Sequence, residues 1–536
     1  MYVHFDVNCG IIYCTFFVRG NPCSWLVPVT IIQVNPRLYI WSTTYYLNEE
    51  EYLIMKRILS LVLCLLLAAG MAATAEETSW QEKLSQVEGV ISVEAIPLDA
   101  SAQFFEEKYL VTFEQPLDWS DPDAGSFPQR VEIGLRGEAQ YVVMETGGYS
   151  LNDKIPGVAD GMAQLGKDDA PEIGQILGAN YVNVEHRFFG DSRPADMSNT
   201  DTRYWEYHTA ENAANDYHRI YLALSPLLAG GWAATGSSRG GQMTNVYAYF
   251  FPEDMRFYAP YVAPCSTGPE DPRLYEFLYT QIGDDAYGAE QAEEMRGLVT
   301  AFQVDMLKNK ETLLPTYEAI VLGSGFAFQE GAAIDQIYDL NVLEFAVQFW
   351  QNQMVSFDDL RSILEMPETT PEELQAKMQA EFGMMLQVQA PMDWSIDTVA
   401  WPYYVNAATT YGQYHYDFSY LRKALEAAGV ADTLSVTEEM EDGLLWSIVF
   451  SKEQRAAFAW DDSFETALSS YLDTTSAKVL MVFGATDPWI ALRIPKTDNP
   501  NVVEFVHPTA PHSAMLSTLP EDMIGEASAV LQNWLQ

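Results

Sequence analysis

Short apolar runs recur along this chain and alternate with segments of helical periodicity. The clearest are YVVMETGG, YVNVEHRFFG, GWAATG and KVLMVFGATDPW, and NVVEFVHP makes a fifth. Strands that are apolar on both faces are typical of a parallel sheet covered by helices, and residues 210–223 have the pattern of such a helix. Upstream, KYLVTFEQPLDW and QRVEIGLRG predict an antiparallel lead-in. The pattern therefore predicts an α/β fold with a mostly parallel sheet.

The strand pattern stops between Asp271 and Ala477. This stretch has the character of several amphipathic helices, for example PEELQAKMQAEFGMML, separated by loops rich in proline and aromatic residues. An insertion of about 200 residues between two strands is most simply a cap over the end of the sheet that binds ligands. We expect a core domain whose first part covers residues 76–270, a helical cap over 271–477, and a second core part over 478–536.

A secretory signal pattern begins at Met55. Two basic residues, a short apolar run and Ala-Thr-Ala follow one another in MKRILSLVLCLLLAAGMAATA, and the apolar run is short for a membrane span. A signal peptide works only at an amino terminus, and NEEEYLI just upstream requires a purine-rich codon run that resembles a bacterial ribosome-binding site. We predict that residues 1–54 are an untranslated upstream extension, that residues 55–75 are the signal peptide, and that a secreted mature chain starts near Glu76.

The net charge of the chain limits the classes of partner that it can bind. The 536 residues carry 75 Asp and Glu against 29 Lys and Arg, a net charge of −46, and the four basic and four acidic residues before Glu76 leave this value unchanged. So acidic a surface repels phosphate backbones and anionic lipid headgroups. We therefore expect no nucleic-acid partner and, after signal cleavage, no membrane partner.

Cysteine and histidine usage limits the chemistry further. Of the five cysteines only Cys265 follows the predicted signal peptide, so the mature chain forms no internal disulfide, and we expect Cys265 to be a packed residue rather than a nucleophile. The seven histidines form no H-E-x-x-H pattern, and paired C-x-x-C ligands are absent. We expect neither a metal nor an organic cofactor.

The pentapeptide GSSRG, centred on Ser238, matches G-x-S-x-G, the nucleophile elbow of α/β-hydrolases. Side chains two residues before and after the nucleophile would clash in that turn, so glycine is needed at both positions. Centring the motif on Ser238 places Gly236 and Gly240 there, whereas centring it on Ser237 would place threonine and arginine there. An apolar strand precedes the motif and a helix-compatible run follows it. Ser238 is therefore the predicted nucleophile.

A serine nucleophile needs a base that is oriented by an acid, and in α/β-hydrolases the chain order is Ser, Asp or Glu, His. Asp487 follows the late strand in VFGATDPW, and HPTAPHSAM then supplies His507 and His512. His507 directly adjoins its strand, whereas His512 lies farther out on the loop, where a base can reach the elbow. We predict Asp487 as the acid and favour His512 over His507 as the base.

The tetrahedral intermediate needs two N–H donors for its oxyanion. One is expected from the amide of Arg239, directly after the nucleophile. The other is expected from the loop ETGGYSL, at Gly148 or Tyr149.

Several segments together resemble the secreted bacterial prolyl tripeptidyl aminopeptidases, which are more distantly similar to the lysosomal Pro-X carboxypeptidase and dipeptidyl peptidase group. They are VEHRFFGDSRP, TGSSRGG, VLEFAVQFWQ, FGATDPW and APHSAM. The resemblance extends from about Phe113 to the last helix, and it places nucleophile, acid and base at Ser238, Asp487 and His512. Lys is commoner in that family where this chain has Arg239, and we expect the Arg239 amide, not the side chain, to do the work.

The resemblance implies removal of short peptides, tripeptides above all, from free amino termini of peptides or proteins, with cleavage after proline. An exopeptidase must neutralise the substrate ammonium group with a carboxylate. Glu185 and Asp191 are candidates because they follow the strand next to the elbow. As alternatives, Glu185 could pair with Arg187 or Arg193 as scaffold, and Asp191 could cap a turn.

Aromatic residues of the predicted cap could form an apolar pocket for proline, and the candidates are Trp350, Trp401 and Tyr404. The alternative is that they belong to the cap core. The sequence thus predicts a secreted serine exopeptidase with an α/β-hydrolase fold. Its rivals are a Pro-X carboxypeptidase or dipeptidyl peptidase, a carboxylesterase or lipase with the same triad, and a non-catalytic binding protein on a hydrolase scaffold.

Overall fold

The computed structural model divides the chain into two compact units, Met1–Thr78 and Ser79–Gln536. The described residues are 2–3, 11–16, 29–34 and 37–41, then 78–535 without 99–101, 138, 152–167, 169, 199–201, 391–393, 396–400 and 461. The first unit contains an antiparallel sheet whose strands pair in chain order: β1 (Tyr2–Val3), β2 (Ile11–Phe16), β3 (Val29–Val34) and β4 (Arg37–Trp41). The predicted signal peptide, residues 55–75, lies outside the described residues, and the upstream extension over residues 1–54 stays a prediction.

A nine-stranded sheet forms the centre of the second unit. Its spatial order is β15 (Val502–His507), β14 (Val479–Gly484), β11 (Tyr258–Tyr261), β10 (Gly231–Ser237), β8 (Tyr141–Thr146), β9 (Asn180–Val184), β7 (Ser126–Leu135), β6 (Glu107–Pro116) and β5 (Val90–Ile96). Neighbours from β15 to β9 run parallel, and β7, β6 and β5 add an antiparallel edge. The predicted α/β class with its mostly parallel sheet and antiparallel lead-in is confirmed.

One central strand, β11, escaped the sequence reasoning. It has four residues, all buried, and Pro260 stands within it, which normally argues against a central strand because proline lacks the N–H that a ladder needs. The pairing of β11 with β14 is accordingly recorded only at Tyr258 and Tyr261, on either side of Pro260. The backbone of Val262, which follows, has a φ of 43°, unusual for a β-branched residue.

Helices cover both faces of the sheet. The predicted helix over 210–223 is α3, which starts at Ala210 behind the side-chain cap of Thr209. On one face α3 and α4 pack on the sheet, and on the other face α18 buries Leu531 and Trp534 against it. Among the described residues, the helices outside the cap region are α1 (Trp80–Ser85), α2 (Glu172–Leu177), α3 (Ala210–Leu224), α4 (Arg239–Phe250) and α18 (Glu521–Leu535), and short 3-10 helices cover Pro122–Ala124, Thr202–Tyr207, Pro488–Leu492 and Leu516–Thr518.

The chain between β11 and β14 is mainly helical, as predicted, and has its own apolar core. Within this segment, β12 (Glu270–Asp271), near its start, pairs in parallel with β13 (Gln413–Tyr414). Within the described residues its elements are α5 (Arg273–Thr280), α6 (Asp284–Tyr287), α7 (Ala289–Lys308), α8 (Lys310–Gly323), α9 (Ile334–Asn352), α10 (Phe357–Leu364), α11 (Pro371–Val388), α12 (Trp401–Asn406) with a π turn over Ala407–Tyr411, α13 (Ser419–Ala428), α14 (Glu438–Glu441), α15 (Leu444–Val449), α16 (Lys452–Ala456), α17 (Asp462–Ser470) and 3-10 turns at Ala431–Thr433 and Tyr471–Asp473.

The predicted cap boundary at residue 477 differs from where the apolar cores meet. Phe464 and Leu468 of α17 pack with the apolar core between the sheet and helices α3 and α4, and not with the core of the cap. None of the helices in the described part of the chain combines the length and apolar character that a bilayer crossing needs.

A buried carboxyl group in the cap makes stability depend on pH. Burial and the nearby Asp305 carboxylate raise the pKa of Glu381 to about 8, although Lys377 lies 3.8 Å away. Because the folded state then holds a proton that the unfolded state releases near pH 4.5, folding stability falls as the pH rises from about 5 to about 8. We expect Glu381→Gln, neutral in both states, to gain melting temperature over the wild type across this range, by roughly 2–4 °C.

Thermal unfolding of both proteins at pH 5 and pH 8.5 measures this effect. Glu368→Gln is the matched control, because Glu368 also faces Lys377 but is exposed. An equal pH dependence in Glu381→Gln and the wild type would contradict the expectation.

Candidate active site

Ser238 lies at the sharp turn between β10 and α4. Its backbone has φ 56° and ψ −121°, a conformation that non-glycine residues adopt rarely and at a cost of about 1–3 kcal/mol. The preceding residue, Ser237, is exposed and still belongs to the strand. This is the geometry of a nucleophile elbow, with Ser238 at its apex.

The two glycines of the elbow are required by close backbone contacts. A Cβ on Gly236 would lie 2.4 Å from the carbonyl carbon and oxygen of Gly240, and a Cβ on Gly240 would lie 3.0 Å from the Thr146 carbonyl oxygen. The Thr146 hydroxyl, at the end of β8, lies 3.0 Å from the Gly240 oxygen and 2.7 Å from the Thr244 hydroxyl. These contacts fix the first turn of α4 against the sheet.

We expect Gly236→Ala to lose at least about 3 kcal/mol of unfolding free energy, because backbone atoms on both sides of the turn would have to move. Gly297→Ala is the matched control. Gly297 is exposed within α7, and no described atom beyond its own helix backbone and chain neighbours lies within 4 Å of where a methyl group would sit. Alanine there should therefore add about 0.5–1 kcal/mol. Urea unfolding measures both changes, and a Gly236→Ala protein as stable as the wild type would contradict the packing described.

Asp487 and His512 form a hydrogen-bonded pair at the same edge of the sheet. His512 Nδ1 lies 2.7 Å from Asp487 Oδ2, and Asp487, which is fully buried, also accepts a bond from the Trp489 amide at Oδ1 (3.0 Å). Since a carboxylate accepts, Nδ1 carries the proton and Nε2 is left as a base. The Nε2 atom is buried and has no hydrogen-bond partner among the described residues.

The alternative base, His507, has both ring nitrogens engaged. Its Nε2 lies 2.7 Å from the Thr518 carbonyl oxygen, and its Nδ1 accepts from the amides of Thr509 and Ala510 at 3.2 and 2.9 Å. These bonds shape the loop that carries His512. The contacts give His507 a structural role.

The end of α9 contacts both loops that carry the acid and the base. Gln351 accepts from the His512 amide through its carbonyl oxygen (3.1 Å) and from the Trp489 indole through its side chain (2.6 Å). Gln353 donates to the Thr486 hydroxyl (3.1 Å), and that hydroxyl donates to the Thr509 carbonyl. Sequence reasoning missed these residues, and their only signal was the segment VLEFAVQFWQ, which ends at Gln351.

The loop after β8 lies directly against the start of α4. A Cβ on Gly148 would lie 2.7 Å from the Gly240 nitrogen. The Gly147 amide is bonded to the Val184 carbonyl and is therefore not an oxyanion donor. Gly148 and Tyr149 stay the candidate donors of this loop, and the Arg239 amide is at the first position of α4.

The side chain of Arg239 takes part in this arrangement, contrary to the expectation that only its amide matters. Its Nε donates to the Gly148 carbonyl (2.7 Å) and its Nη2 to Asn406 Oδ1 (2.6 Å). Asn406 in turn donates to the His208 carbonyl (2.6 Å). The guanidinium thus holds the loop after β8, which carries the candidate oxyanion donors, to the elbow and to Asn406 of the cap.

Comparison with known proteins identifies the family. The sequence model of the PS-10 peptidase S37 family matches residues 75–536. The chain belongs to the peptidase S37 family. It is therefore a serine peptidase of the α/β-hydrolase type, and the resemblance drawn from the sequence is confirmed at the level of the family.

This S37 peptidase is similar to a protein of known sequence and to proteins of known structure. The prolyl tri/tetrapeptidyl aminopeptidase of Streptomyces mobaraensis is 28% identical over 292 residues, 54% of each chain, so this chain matches about half the length of that relative. Among solved structures, proline iminopeptidase of Mycobacterium smegmatis has a TM-score of 0.32 and 13% identity, with 83% of this chain and 99% of that chain covered. Acetyl xylan esterase 1 from Thermoanaerobacterium has a TM-score of 0.30 and 11% identity, with coverages of 85% and 91%.

In this S37 peptidase, Glu185 is part of the scaffold. It is fully buried, it pairs with Arg130, and it also accepts from the Leu151 amide (2.9 Å) and the Ser192 hydroxyl. The expected partners were Arg187 or Arg193, but Arg187 binds Asp216 with two hydrogen bonds instead. These contacts give an ammonium-binding role for Glu185 no support.

Asp191 pairs with the same arginine from the outside. Its side chain is 83% exposed and lies 2.8 Å from Arg130 Nη1. The carboxylate thus already has a cationic partner, which it shares with Glu185, and it lies in solvent. The structure places it at the surface beside the E-H-R-F-F-G segment.

The three aromatic candidates for a proline pocket lie in the core of the cap. Trp350 is 1% exposed and packs on Phe357, Trp401 is equally buried against Phe450, and Tyr404 is almost as buried. Side chains so enclosed present no surface to a substrate in this structure. The alternative interpretation, that these residues belong to the cap core, agrees with their placement.

Different aromatic residues of the S37 peptidase flank the elbow and the base. Tyr149 is 41% exposed and packs beside Tyr403 of α12, and Trp489 lies between Tyr414 and His512, with ring centroids 5.3 and 6.2 Å away.

Cys265 is buried, and burial raises the pKa of its thiol to about 12, so it is no nucleophile at neutral pH.

Proposed function

We propose that this serine peptidase is a secreted exopeptidase that removes tripeptides from free amino termini and cleaves after proline. The specificity is proposed from that of the Streptomyces mobaraensis relative, a prolyl tri/tetrapeptidyl aminopeptidase, together with the family membership of residues 75–536. The single structural observation that carries the chemistry is the hydrogen bond between the buried Asp487 and His512, which leaves the His512 Nε2 as a base at the sheet edge where the elbow lies.

In the proposed mechanism Ser238 Oγ attacks the scissile carbonyl while His512 Nε2 takes the hydroxyl proton. Asp487 holds the imidazole in the required tautomer and stabilises the imidazolium. The amides of Arg239 and of Gly148 or Tyr149 stabilise the oxyanion. Collapse of the intermediate breaks the peptide bond, His512 returns its proton to the leaving amine, and the acyl group stays on Ser238. Water, activated by His512, then hydrolyses this ester and restores the serine.

A peptide panel tests the specificity. Peptides with proline or alanine at the third position, each with a free or an acetylated amino terminus, are incubated with the protein, and the products are sequenced. We expect release of an intact tripeptide from the free proline peptides only. Release of dipeptides would favour a dipeptidyl peptidase, and release of single carboxyl-terminal residues would favour a Pro-X carboxypeptidase. A protein that cleaves aryl esters but none of the peptides would be an esterase. Cleavage of acetylated peptides at internal bonds would contradict the proposal.

Export is a separate part of the proposal and rests on the sequence pattern at Met55. Mass spectrometry of natively produced protein is expected to find a chain that starts near Glu76. Peptides from residues 1–75 in the mature protein would contradict it, whatever the specificity.

A further inference from the structure

Arg239 is a buried cation without an acidic partner. Its residue is 2% exposed, and among the residues that the structure describes no carboxylate lies within ion-pair distance of it. In a chain with 75 acidic and 29 basic residues, a buried arginine that forms no ion pair with a described carboxylate is unexpected. An uncompensated buried charge is costly, so a group that neutralises it gains much from binding there.

The neighbouring buried arginines are neutralised, which isolates the charge of Arg239. Arg130 pairs with Glu185 and Asp191, and Arg187 pairs with Asp216. The rings of Tyr149, Phe189, Tyr403 and Tyr411 lie 5.2–5.9 Å from the Arg239 Cζ. Such rings attract a cation but cannot accept its N–H groups in the plane of the guanidinium.

Unsatisfied polar atoms lie around this cation. The structure gives no hydrogen-bond partner, among the described residues, to four buried atoms: Arg239 Nη1, His186 Nε2, His208 Nε2 and the Tyr411 hydroxyl oxygen. The two histidine rings are 5.4 Å apart and both pack on Phe189, as Arg239 does. Buried polar atoms normally have partners, and these four belong to residues that pack on Phe189 or on the Arg239 guanidinium itself, which indicates a site for a ligand beside Arg239.

The charges and donors of this group fit a small anion. Burial and then the positive charge of Arg239 lower the pKa of His186, and burial, His186 and Arg239 lower the pKa of His208, so both imidazoles are neutral. The four residues Arg239, His186, His208 and Tyr411 together therefore carry a charge of +1. Arg239 Nη1 and the Tyr411 hydroxyl are donors, and His208 Nε2 is a donor in one of its two tautomers. His186 Nδ1 donates to the Arg187 carbonyl (3.0 Å), so its Nε2 is an acceptor and no anion ligand.

We propose that Arg239 Nη1, the Tyr411 hydroxyl and His208 Nε2 bind a monovalent inorganic anion, chloride, beside the oxyanion loop. The anion neutralises the guanidinium whose Nε holds the Gly148 carbonyl and whose Nη2 holds Asn406 of the cap. Anion binding therefore stabilises the fold and keeps the oxyanion loop in place. The site goes beyond the proposed function, and its occupancy can be measured without any substrate.

Occupancy is tested on the protein dialysed against sodium gluconate. Titration with chloride or bromide at constant ionic strength should raise the melting temperature saturably, by about 2 °C or more, because a ligand of the folded state stabilises it. Crystals grown in sodium bromide should show anomalous density in contact with Arg239 Nη1. The absence of anomalous density there would overturn the proposal. A melting temperature that rises as much with added gluconate as with added chloride would overturn it too. Density only in the presence of an acidic peptide would also overturn it, since the ligand would then be a substrate carboxylate.

Variants separate the anion from general salt effects. Arg239→Met should abolish both the bromide density and the chloride response of the melting temperature. Tyr411→Phe, which removes only a hydroxyl, should raise the half-saturating chloride concentration by roughly fivefold or more and keeps the test decisive if Arg239→Met does not fold. Arg296→Met is the control, because Arg296 is paired with Asp284 and should leave the chloride response unchanged. An unchanged response in Tyr411→Phe together with Arg239→Met would contradict the assignment.

Discussion

Ser238→Ala is expected to lower kcat by roughly 10⁶-fold against a proline peptide with a free amino terminus. The serine occupies the strained apex of the elbow, at φ 56°, and it starts the helix whose first turn lies against the loop after β8. Alanine keeps the turn and removes only the attacking oxygen. Substrate affinity should therefore change little while turnover disappears, and the measurement is single-turnover kinetics together with peptide binding to the inactive variant.

Ser237→Ala is the matched control for this experiment. Ser237 is exposed, and it still pairs in the strand register opposite Tyr261, so its side chain has no part in the elbow. We expect Ser237→Ala to keep kcat within about threefold of the wild type. A loss of activity in Ser237→Ala with retention in Ser238→Ala would reverse the assignment of the nucleophile.

Asp487→Asn is expected to lower kcat by about 10⁴-fold without unfolding the site. Asp487 Oδ1 accepts the Trp489 amide (3.0 Å), so the carbonyl oxygen of an asparagine would be held there and its NH₂ group would face His512. An NH₂ group cannot accept from Nδ1. The imidazole would then hold its proton on Nε2, where it could not take the proton of Ser238.

The control for this variant is Asp121→Asn. Asp121 begins a 3-10 turn in the same way, with proline after it and its side chain accepting from the amide two residues on at 3.0 Å, but no histidine of the described residues bonds to it. Its asparagine variant should keep full activity. If Asp487→Asn retains wild-type kcat across the pH range, Asp487 does not orient the base.

Much of the fold could be predicted because its strands are local patterns. Runs that are apolar on both faces marked the parallel strands, and glycine spacing selected Ser238 over Ser237. The same local reasoning failed at β11, where Pro260 breaks the pattern of a strand that tertiary contacts nevertheless hold between β10 and β14. The rule that proline avoids central strands is a preference, and burial on both faces overrode it here.

The surroundings of the predicted site were harder to infer, because they depend on contacts between distant segments. The Arg130 partner of Glu185 is 55 residues away, and Asn406, which binds the Arg239 guanidinium, is 167 residues from it. Nothing in the local sequence indicates such pairs. Aromatic residues are equally ambiguous, since Trp350 and Trp489 look alike in sequence, but one lies in the cap core and the other beside His512.

The central claim is that Ser238 is the activated nucleophile of this S37 peptidase. A fluorophosphonate probe reacts covalently with a serine that a base activates, and mass spectrometry of the digested protein locates the label. We predict one adduct, on the peptide that contains Ser238, formed in the wild type and in Ser237→Ala, much slower in Asp487→Asn and absent in Ser238→Ala. Labelling of another serine, or no labelling of a protein that cleaves peptides, would contradict the account.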